Sequence, residues 1–298
     1  MRARLERVVF IAALSCLAAG CGRRSHVVED QLLTEAQLPA GGTVHLRNTV
    51  GQIAVTRAPG SDVRVFGAKR WHYGSEDDVH FLWTRSGDAL YACAVWGTHG
   101  QCDAGGYRSS RPSASILRIF SLFHRHRSDM RADLTVMLPA GLALDASTTS
   151  GSLRVSGATG GVLARNVNGS ITLDRVAGPV DARTVNGSIA VTLDSLVADA
   201  PLRLESVNGS VSAGAPEGLQ GQVRLSTVNG SVTSTFPVVS SGSISRHRIE
   251  GRIGDSPREI SLKSVNGSVR LLRTSRTAAA VETTRAVPNA PVSAHPGT

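Results

Sequence analysis

Aliphatic and polar residues alternate with a period of two through most of the chain between residues 43 and 273. The alternation is clearest around the tetrapeptide Val-Asn-Gly-Ser, whose five asparagines are separated by 18, 22, 21 and 37 residues. Alternation of this kind predicts β-strands with one buried and one solvated face. Recurrence at such intervals predicts stacked copies of one small unit. The turn residues are Asn168, Gly169, Asn186, Gly187, Asn208, Gly209, Asn229, Gly230, Asn266 and Gly267.

Each copy places aliphatic residues six and four positions before the asparagine and another three positions after it. In the copy of Asn186 these residues are Val180, Ala182 and Ile189. We therefore expect one strand on each side of Asn-Gly, with these positions in the core. Ile189 is an expected core residue, whereas Thr192 is expected on the solvated face.

Two arrangements of the repeat fit this pattern. In an antiparallel β-meander, each Asn-Gly pair would form a hairpin turn, for which it is the strongest short signal. In a β-solenoid, each pair would be a corner after which the chain continues, and the asparagines of successive coils would hydrogen-bond along a ladder. A hairpin would leave the valine before every asparagine on the solvated face, whereas a corner can reset the alternation.

The alternation predicts an all-β fold. Because a corner can reset the alternation, and because aromatic residues make up only 4% of the chain, the fold is expected to be a single-domain parallel β-solenoid with repeats of about 18–22 residues, and the antiparallel β-meander is the alternative. Degenerate copies at Gly51, Gly151 and Gly251 are interpreted as further coils. The repeat domain is assigned to residues 42–273, with an aromatic and basic insertion at 66–131.

The first 20 residues have the organisation of a bacterial lipoprotein signal peptide. Three arginines precede an apolar run over residues 8–19, which is too short to span a bilayer. Residues 17–21 resemble a lipobox, in which the cysteine is diacylated. We predict a signal peptide over 1–20 and lipidation at Cys21, and the alternative is an ordinary signal peptide followed by a chance cysteine.

Gly22 follows the cysteine, and its resemblance to lipoproteins of Gram-negative bacteria indicates the outer membrane. Residues 21–41 are interpreted as a lipidated tether, and the tail at 274–298, rich in Ala, Thr and Pro, is expected to be disordered. Removal of residues 1–20 takes the net charge from +9 to +7. In the envelope this charge favours anionic lipid, lipopolysaccharide or glycan as partners, besides a possible protein partner, and no nucleic acid.

Cys93 and Cys102 are the only cysteines that remain in the mature chain besides Cys21. In an oxidising compartment such a pair predicts a disulfide. The alternative is a metal site that includes His99, which would lack a fourth ligand and a usual spacing.

A basic segment at residues 107–131 contains one apolar stretch and a single acidic residue. It could lie on an anionic membrane surface, or it could be a solvated insertion that caps the open end of the solenoid. The residues expected to contact an anionic surface are Arg108, Arg111, Arg118, Arg125, Arg127 and Arg131.

The lipobox, the serial Val-Asn-Gly-Ser, and the sequences at 42–44, 138–141 and 251–254 together resemble the bacterial putative-adhesin family of β-strand-repeat domains of unknown function. The resemblance covers roughly residues 42–273. It implies an extracytoplasmic β-helix-like domain with a role in adhesion or envelope response, and it brings no catalytic residues.

The repeat offers no cluster that indicates catalysis. Asp174 and Asp194 occupy different positions in their copies, so they form no carboxylate pair. We expect no catalytic residues, no metal and no cofactor, and we predict a non-enzymatic envelope protein that presents the solenoid for adhesion or interaction. The alternative is a polysaccharide-processing enzyme on a β-helix scaffold. The residues three positions before the asparagine, a solvated row that could also bind an anionic polymer weakly, are Arg165, Arg183, Glu205, Ser226 and Lys263.

Overall fold

The structure, a computed structural model, describes residues 26–97, 100–109, 129–195, 197 and 199–274. These residues form strands and one short 3-10 helix at Glu76–Asp78. The strands are β1 (His26–Gln37), β2 (Thr43–Val50), β3 (Ile53–Arg57), β4 (Asp62–Trp71), β5 (Val79–Ser86), β6 (Ala89–Trp96), β7 (Gly100–Asp103), β8 (Gly106–Ser109), β9 (Arg131–Leu138), β10 (Ala143–Ser150), β11 (Leu153–Ser156), β12 (Val162–Asn168), β13 (Ile171–Val176), β14 (Val180–Asn186), β15 (Ile189–Leu193), β16 (Leu202–Asn208), β17 (Val211–Ala215), β18 (Gly221–Asn229), β19 (Val232–Ser234), β20 (Val239–Ser245), β21 (Arg248–Ile253), β22 (Glu259–Asn266) and β23 (Val269–Arg273).

Two large sheets contain all of these strands except β7 and β8, which pair with each other. The first sheet has the order β1-β4-β9-β3-β11-β13-β15-β17-β23-β19. The second sheet has the order β20-β21-β18-β22-β16-β14-β12-β10-β2-β6-β5. One apolar core, almost entirely aliphatic, lies between the two sheets.

The Asn-Gly pairs are corners between the two sheets. The strand before each pair belongs to the second sheet and the strand after it to the first, as β12 and β13 show. Equivalent residues of neighbouring coils pair in parallel, so that Ala164 lies beside Ala182 and Ile171 beside Ile189. The hairpins of the meander alternative are therefore absent from these corners.

Both ends of the stack contain antiparallel pairs. At one end β4 pairs antiparallel with β1 and β9, and β5 pairs antiparallel with β6. At the other end β21 pairs antiparallel with β18 and β20. The sheets are therefore mixed, and the expectation of a wholly parallel solenoid applies to the stacked repeats but not to the ends.

Coils do not stack in sequence order. The coil of β22 and β23 is the last in the chain, yet it lies between the coil of β16 and β17 and the coil of β18 and β19. The degenerate copies at Gly51 and Gly151 are true coils, since β2 and β3 pair in parallel with β10 and β11. Gly251 is different, because it belongs to the antiparallel strand β21, and its interpretation as a further coil is wrong.

Two assignments outside the repeat also change. Residues 26–37 of the expected tether are strand β1, paired with β4 at the edge of the first sheet. The insertion at 66–131 contributes β5 and β6 to the second sheet. Sequence patterns missed β1 because its register against β4 shifts between Val28 and Gln31 and again between Leu32 and Thr34, which interrupts the alternation.

The spacing between coils explains the glycine of every corner. A Cβ on Gly187 would lie 2.5 Å from the carbonyl carbon of Gly169 in the next coil, and closer still to its oxygen. A Cβ on Gly209 would meet the carbonyl group of Gly187 in the same way, and a Cβ on Gly267 would meet that of Gly209. The coils therefore stack backbone on backbone at this corner, where an added methyl group has no room.

A row of small buried polar residues completes the corner. The residue two positions before the asparagine faces inward and donates a hydrogen bond to the corner carbonyl of the next coil. Thr184 donates to the oxygen of Gly169 at 3.1 Å and Ser206 to that of Gly187 at 2.8 Å. These hydroxyls satisfy carbonyl groups that the core would otherwise bury without a partner.

Candidate interaction surface

The valine of each Val-Asn-Gly-Ser copy lies on the outer face of the second sheet. Its exposed fraction is 40–41% in four copies and 64% in the fifth. The expectation that a corner would reset the alternation and bury this valine is wrong. The alternation continues to the corner because the small polar residue two positions before the asparagine faces inward, so the valine next to it points outward. We call these residues the valine row: Val167, Val185, Val207, Val265 and Val228.

An asparagine ladder runs beside the valine row. In the middle of the stack, Asn208 donates from Nδ2 to Oδ1 of Asn186 at 2.8 Å and accepts from Asn266 at the same distance. Asn186 donates to Asn168, and Asn229 donates to Asn266, each at 2.8 Å. The asparagine ladder expected of a solenoid is therefore present, and every side-chain amide in it donates its hydrogen bond in the same direction along the stack.

Charged residues on the other side of the valine row form ion pairs with one another. Arg183 donates two hydrogen bonds to Asp181, at 2.9 and 3.1 Å, which raise the pKa of the guanidinium. Lys263 contacts Glu205 at 3.3 Å. Arg165 is the least neutralised, since its nearest carboxylate oxygen, on Asp145, lies 4.0 Å away. The row predicted from sequence is therefore a mixed ion-pair network.

A second cluster joins three coils near the β5 end. Asp145 accepts hydrogen bonds from Arg47, at 2.6 and 3.0 Å, and lies 3.1 Å from Nδ1 of His45. The ring of His45 stacks on that of Tyr91 with the centroids 4.5 Å apart. Burial raises the pKa of the Asp145 carboxyl, but Arg47 and then His45 outweigh burial, so the pKa lies below its ordinary value. The cluster ties β6, β2 and β10 together on their outer face.

Sequence patterns missed this cluster because its members lie far apart in the chain and in degenerate copies. The signal that could have found it is the alignment of the copies. His45 and Asp145 fall on the same position of neighbouring coils, as their pairing in the sheet shows.

Cys93 and Cys102 form a disulfide, which links β6 to β7. Tyr107, on β8, packs against the two cysteines and donates from its hydroxyl to the carbonyl of Ala94 at 2.8 Å. Because both sulfur atoms are bonded to each other in the disulfide, neither is a thiolate ligand for a metal. Within the described ranges, no group of three His, Cys, Asp or Glu side chains could hold a metal ion.

Much of the expected basic contact surface lies outside the described residues. Arg108 and Arg131 are exposed. Arg111, Arg118, Arg125 and Arg127 are not among the residues the structure describes, and the same holds for Cys21, His99 and residues 275–298. Lipidation at Cys21 and docking by the basic segment therefore stay predictions.

An open groove of about 820 Å³ lies beside β18 and β21, at the end of the stack away from β5. Its charged residues have both signs, and Arg224 contacts Glu250 there at 3.3 Å. The valine row and the asparagine ladder do not line this groove.

Residues 128–272 match the family model Toastrack DUF4097. This segment, just under half of the chain, is similar to that family. It contains every Val-Asn-Gly-Ser copy, the buried polar residues of those copies and the whole valine row. The resemblance to an adhesin-type domain of unknown function is thereby confirmed.

Two solved structures show a distant similarity to this chain. One is a putative cell adhesion protein from Clostridium sporogenes, with 10% identity and a TM-score of 0.47, covering 84% of this chain and 99% of that one. The other is a putative adhesin from Bacteroides fragilis, with 10% identity and a TM-score of 0.35, covering 84% of this chain and 97% of that one. No curated protein sequence matches the chain. Among the described residues, none forms a helix of the length and apolarity that crossing a bilayer requires.

Proposed function

We propose that the protein is a non-enzymatic, lipid-anchored component of the bacterial cell envelope that presents its stacked repeats to an extended anionic glycan of the surface. Cys21 would carry the lipid, and the outer membrane of a Gram-negative bacterium would hold the anchor. The disulfide between Cys93 and Cys102 supports an oxidising compartment outside the cytoplasm, in agreement with the signal peptide predicted from the sequence.

The valine row carries this proposal. The glycine of each motif is required for close stacking of the coils, and the asparagine forms the ladder of hydrogen bonds. The valine, in contrast, contributes neither to the core nor to the corner. Its side chain is exposed in all five copies, although aliphatic residues gain most from burial. A repeated exposed apolar row, aligned along the stack, indicates a contact surface.

The geometry of the row suits an extended partner. Five valines at the strand spacing of about 4.8 Å make a stripe of roughly 19 Å. Amide groups repeat at the same interval on one side, and the charged row lies on the other. A glycan chain has apolar ring faces and hydroxyl groups that repeat along its length, and the positive net charge of the protein favours an anionic one.

Binding of the mature chain, residues 21–298 with Cys21→Ser, to polysaccharide released from lipopolysaccharide would test the proposal. The double variant Val185→Ser, Val207→Ser should bind roughly tenfold more weakly, because two apolar contacts are lost in the middle of the row. Leu272→Ser is the matched control, since Leu272 is an exposed aliphatic residue on the first sheet. Neutral dextran should bind neither form.

Equal affinity of the double variant and the parent chain would refute the proposed surface. Capture of an envelope protein through the valine row, with no glycan binding, would replace the glycan by a protein partner. Release of shortened glycan by the parent chain, lost in Arg183→Ala, would establish the polysaccharide-processing alternative instead.

A further inference from the structure

We propose that the end of the stack formed by β1 and β5 is the face with which the protein rests on a lipid bilayer. The proposal deepens the membrane attachment proposed above and rests on it for the way the molecule is held. It concerns a different part of the surface from the valine row.

The edges of both sheets meet at this end. Strand β1 is the outermost strand of the first sheet, β5 is the outermost strand of the second, and the two strands are in contact. The first residue of β1, His26, follows Cys21 by five positions. Five extended residues span at most about 18 Å, whereas eleven strands of the second sheet extend over roughly 48 Å. A lipid on Cys21 would therefore hold this end, and not the opposite one, at the membrane.

The exposed aromatic side chains of the described residues lie at this end. Trp83, on β5, is 51% exposed, and Tyr73, two residues after the end of β4, is 46% exposed. Leu32 and Val27, on β1, are each 53% exposed. Trp and Tyr favour the interface between lipid and water because the ring is apolar and carries a polar group. Four large apolar side chains are thus concentrated beside the expected anchor.

Among the described residues, charge at this end is nearly balanced. Arg70, Arg85 and Arg131 are exposed, and so are Glu76 and Asp77 of the 3-10 helix, whereas Asp78 is half-buried. Balanced charges give no strong preference for anionic lipid, so apolar contact should dominate and the binding should depend only weakly on salt. This behaviour differs from the one expected of the basic segment, whose attraction would be electrostatic.

Partition of the unlipidated mature chain, Cys21→Ser, onto phosphatidylcholine vesicles tests the proposal. Trp83→Ser should lower the partition coefficient roughly tenfold, because the largest apolar contact is lost. Ile244→Ser is the matched control, since Ile244 is 62% exposed at the opposite end of the stack. Melting temperatures of both variants establish that folded proteins are compared.

A second measurement uses the fluorescence of the tryptophans with brominated lipid in the vesicles. Quenching should be clear in the parent chain and weak in Trp83→Phe, which keeps a ring at that position. Vesicle binding that Trp83→Ser leaves unchanged, or that Ile244→Ser lowers equally, would overturn the proposal, as would a complete lack of binding.

The anchor and the docking face fail separately. If Cys21 proves unmodified in cells while vesicle binding still depends on Trp83, the lipid anchor is wrong and the docking face stands. If Cys21 is lipidated while binding is indifferent to Trp83, the anchor stands and the docking face is wrong.

Discussion

Replacement of Gly187 by alanine separates two explanations of the corner glycines. One is the backbone conformation of an Asn-Gly turn, which favours glycine because of positive φ. The other is the close stacking of neighbouring coils. Gly187 distinguishes them because its φ lies outside the range that strains other residues, while its Cβ would meet the Gly169 backbone.

The structure gives the size of the effect. The new methyl group would press on a carbonyl of the neighbouring coil that also accepts the hydrogen bond of Thr184. Overpacking of this kind costs about 3 kcal/mol, and the loss of one hydrogen bond adds about 1 kcal/mol. We expect Gly187→Ala to lower the free energy of unfolding by about 4 kcal/mol, a large part of the stability of a typical domain.

Urea unfolding followed by circular dichroism measures the difference, with two matched glycines as controls. Gly141 has a φ of +82° and no atom within 4 Å of an added Cβ, so Gly141→Ala should cost about 1–2 kcal/mol through strain alone. Gly218 has neither constraint, and Gly218→Ala should be nearly neutral. A cost for Gly187→Ala no greater than that for Gly218→Ala would refute the stacking explanation.

Three further substitutions test other parts of the structure by the same unfolding assay. Ile189 is 1% exposed, so Ile189→Ala should cost about 2–5 kcal/mol, whereas Thr192→Ala should change little, and equal effects would contradict the register. Asn208→Ala removes two ladder hydrogen bonds and should cost about 1 kcal/mol, more than Asn229→Ala at the end of the ladder, and the reverse order would argue against the ladder. Asp145→Asn should cost about 2 kcal/mol, because Arg47 loses a charged partner. Since the pKa of Asp145 is lowered in the folded protein, the stabilisation by its carboxylate is present above about pH 3.9 and is lost on acidification below that value. The variant should lack this part of the acid dependence of stability, and unchanged acid dependence would count against the ion pair.

The alternation of the repeat was sufficient to predict the strands, the corners and the core position of Ile189. It failed at the residue two positions before the asparagine, such as Thr184 or Ser206, because a buried hydroxyl looks like a solvated residue in a hydrophobicity pattern. That error led to the wrong expectation for the valines beside it. The parallel stack was inferred correctly, but partly for a reason that the exposed valines overturn.

Coil order could not be predicted from the pattern, and the outer cluster could be found only by aligning the degenerate copies. Every Val-Asn-Gly-Ser copy presents the same glycine, asparagine and aliphatic positions to its neighbours, so the local sequence does not specify which copy lies beside which. His45 and Asp145 are brought together by the parallel pairing of β2 with β10, although the insertion separates these two strands in the chain. Strand β1 was hidden by its two register shifts.

The placement of the final coil affects the order in which the molecule can fold. Coils as far as β17 can stack in chain order, but the neighbour of β17 is β23, which ends at Arg273. Until β22 and β23 join the sheets, the edges of β16 and β17 are unpaired and open to wrong partners. The chain therefore depends on its last strands, and not on its first, to close the growing edge.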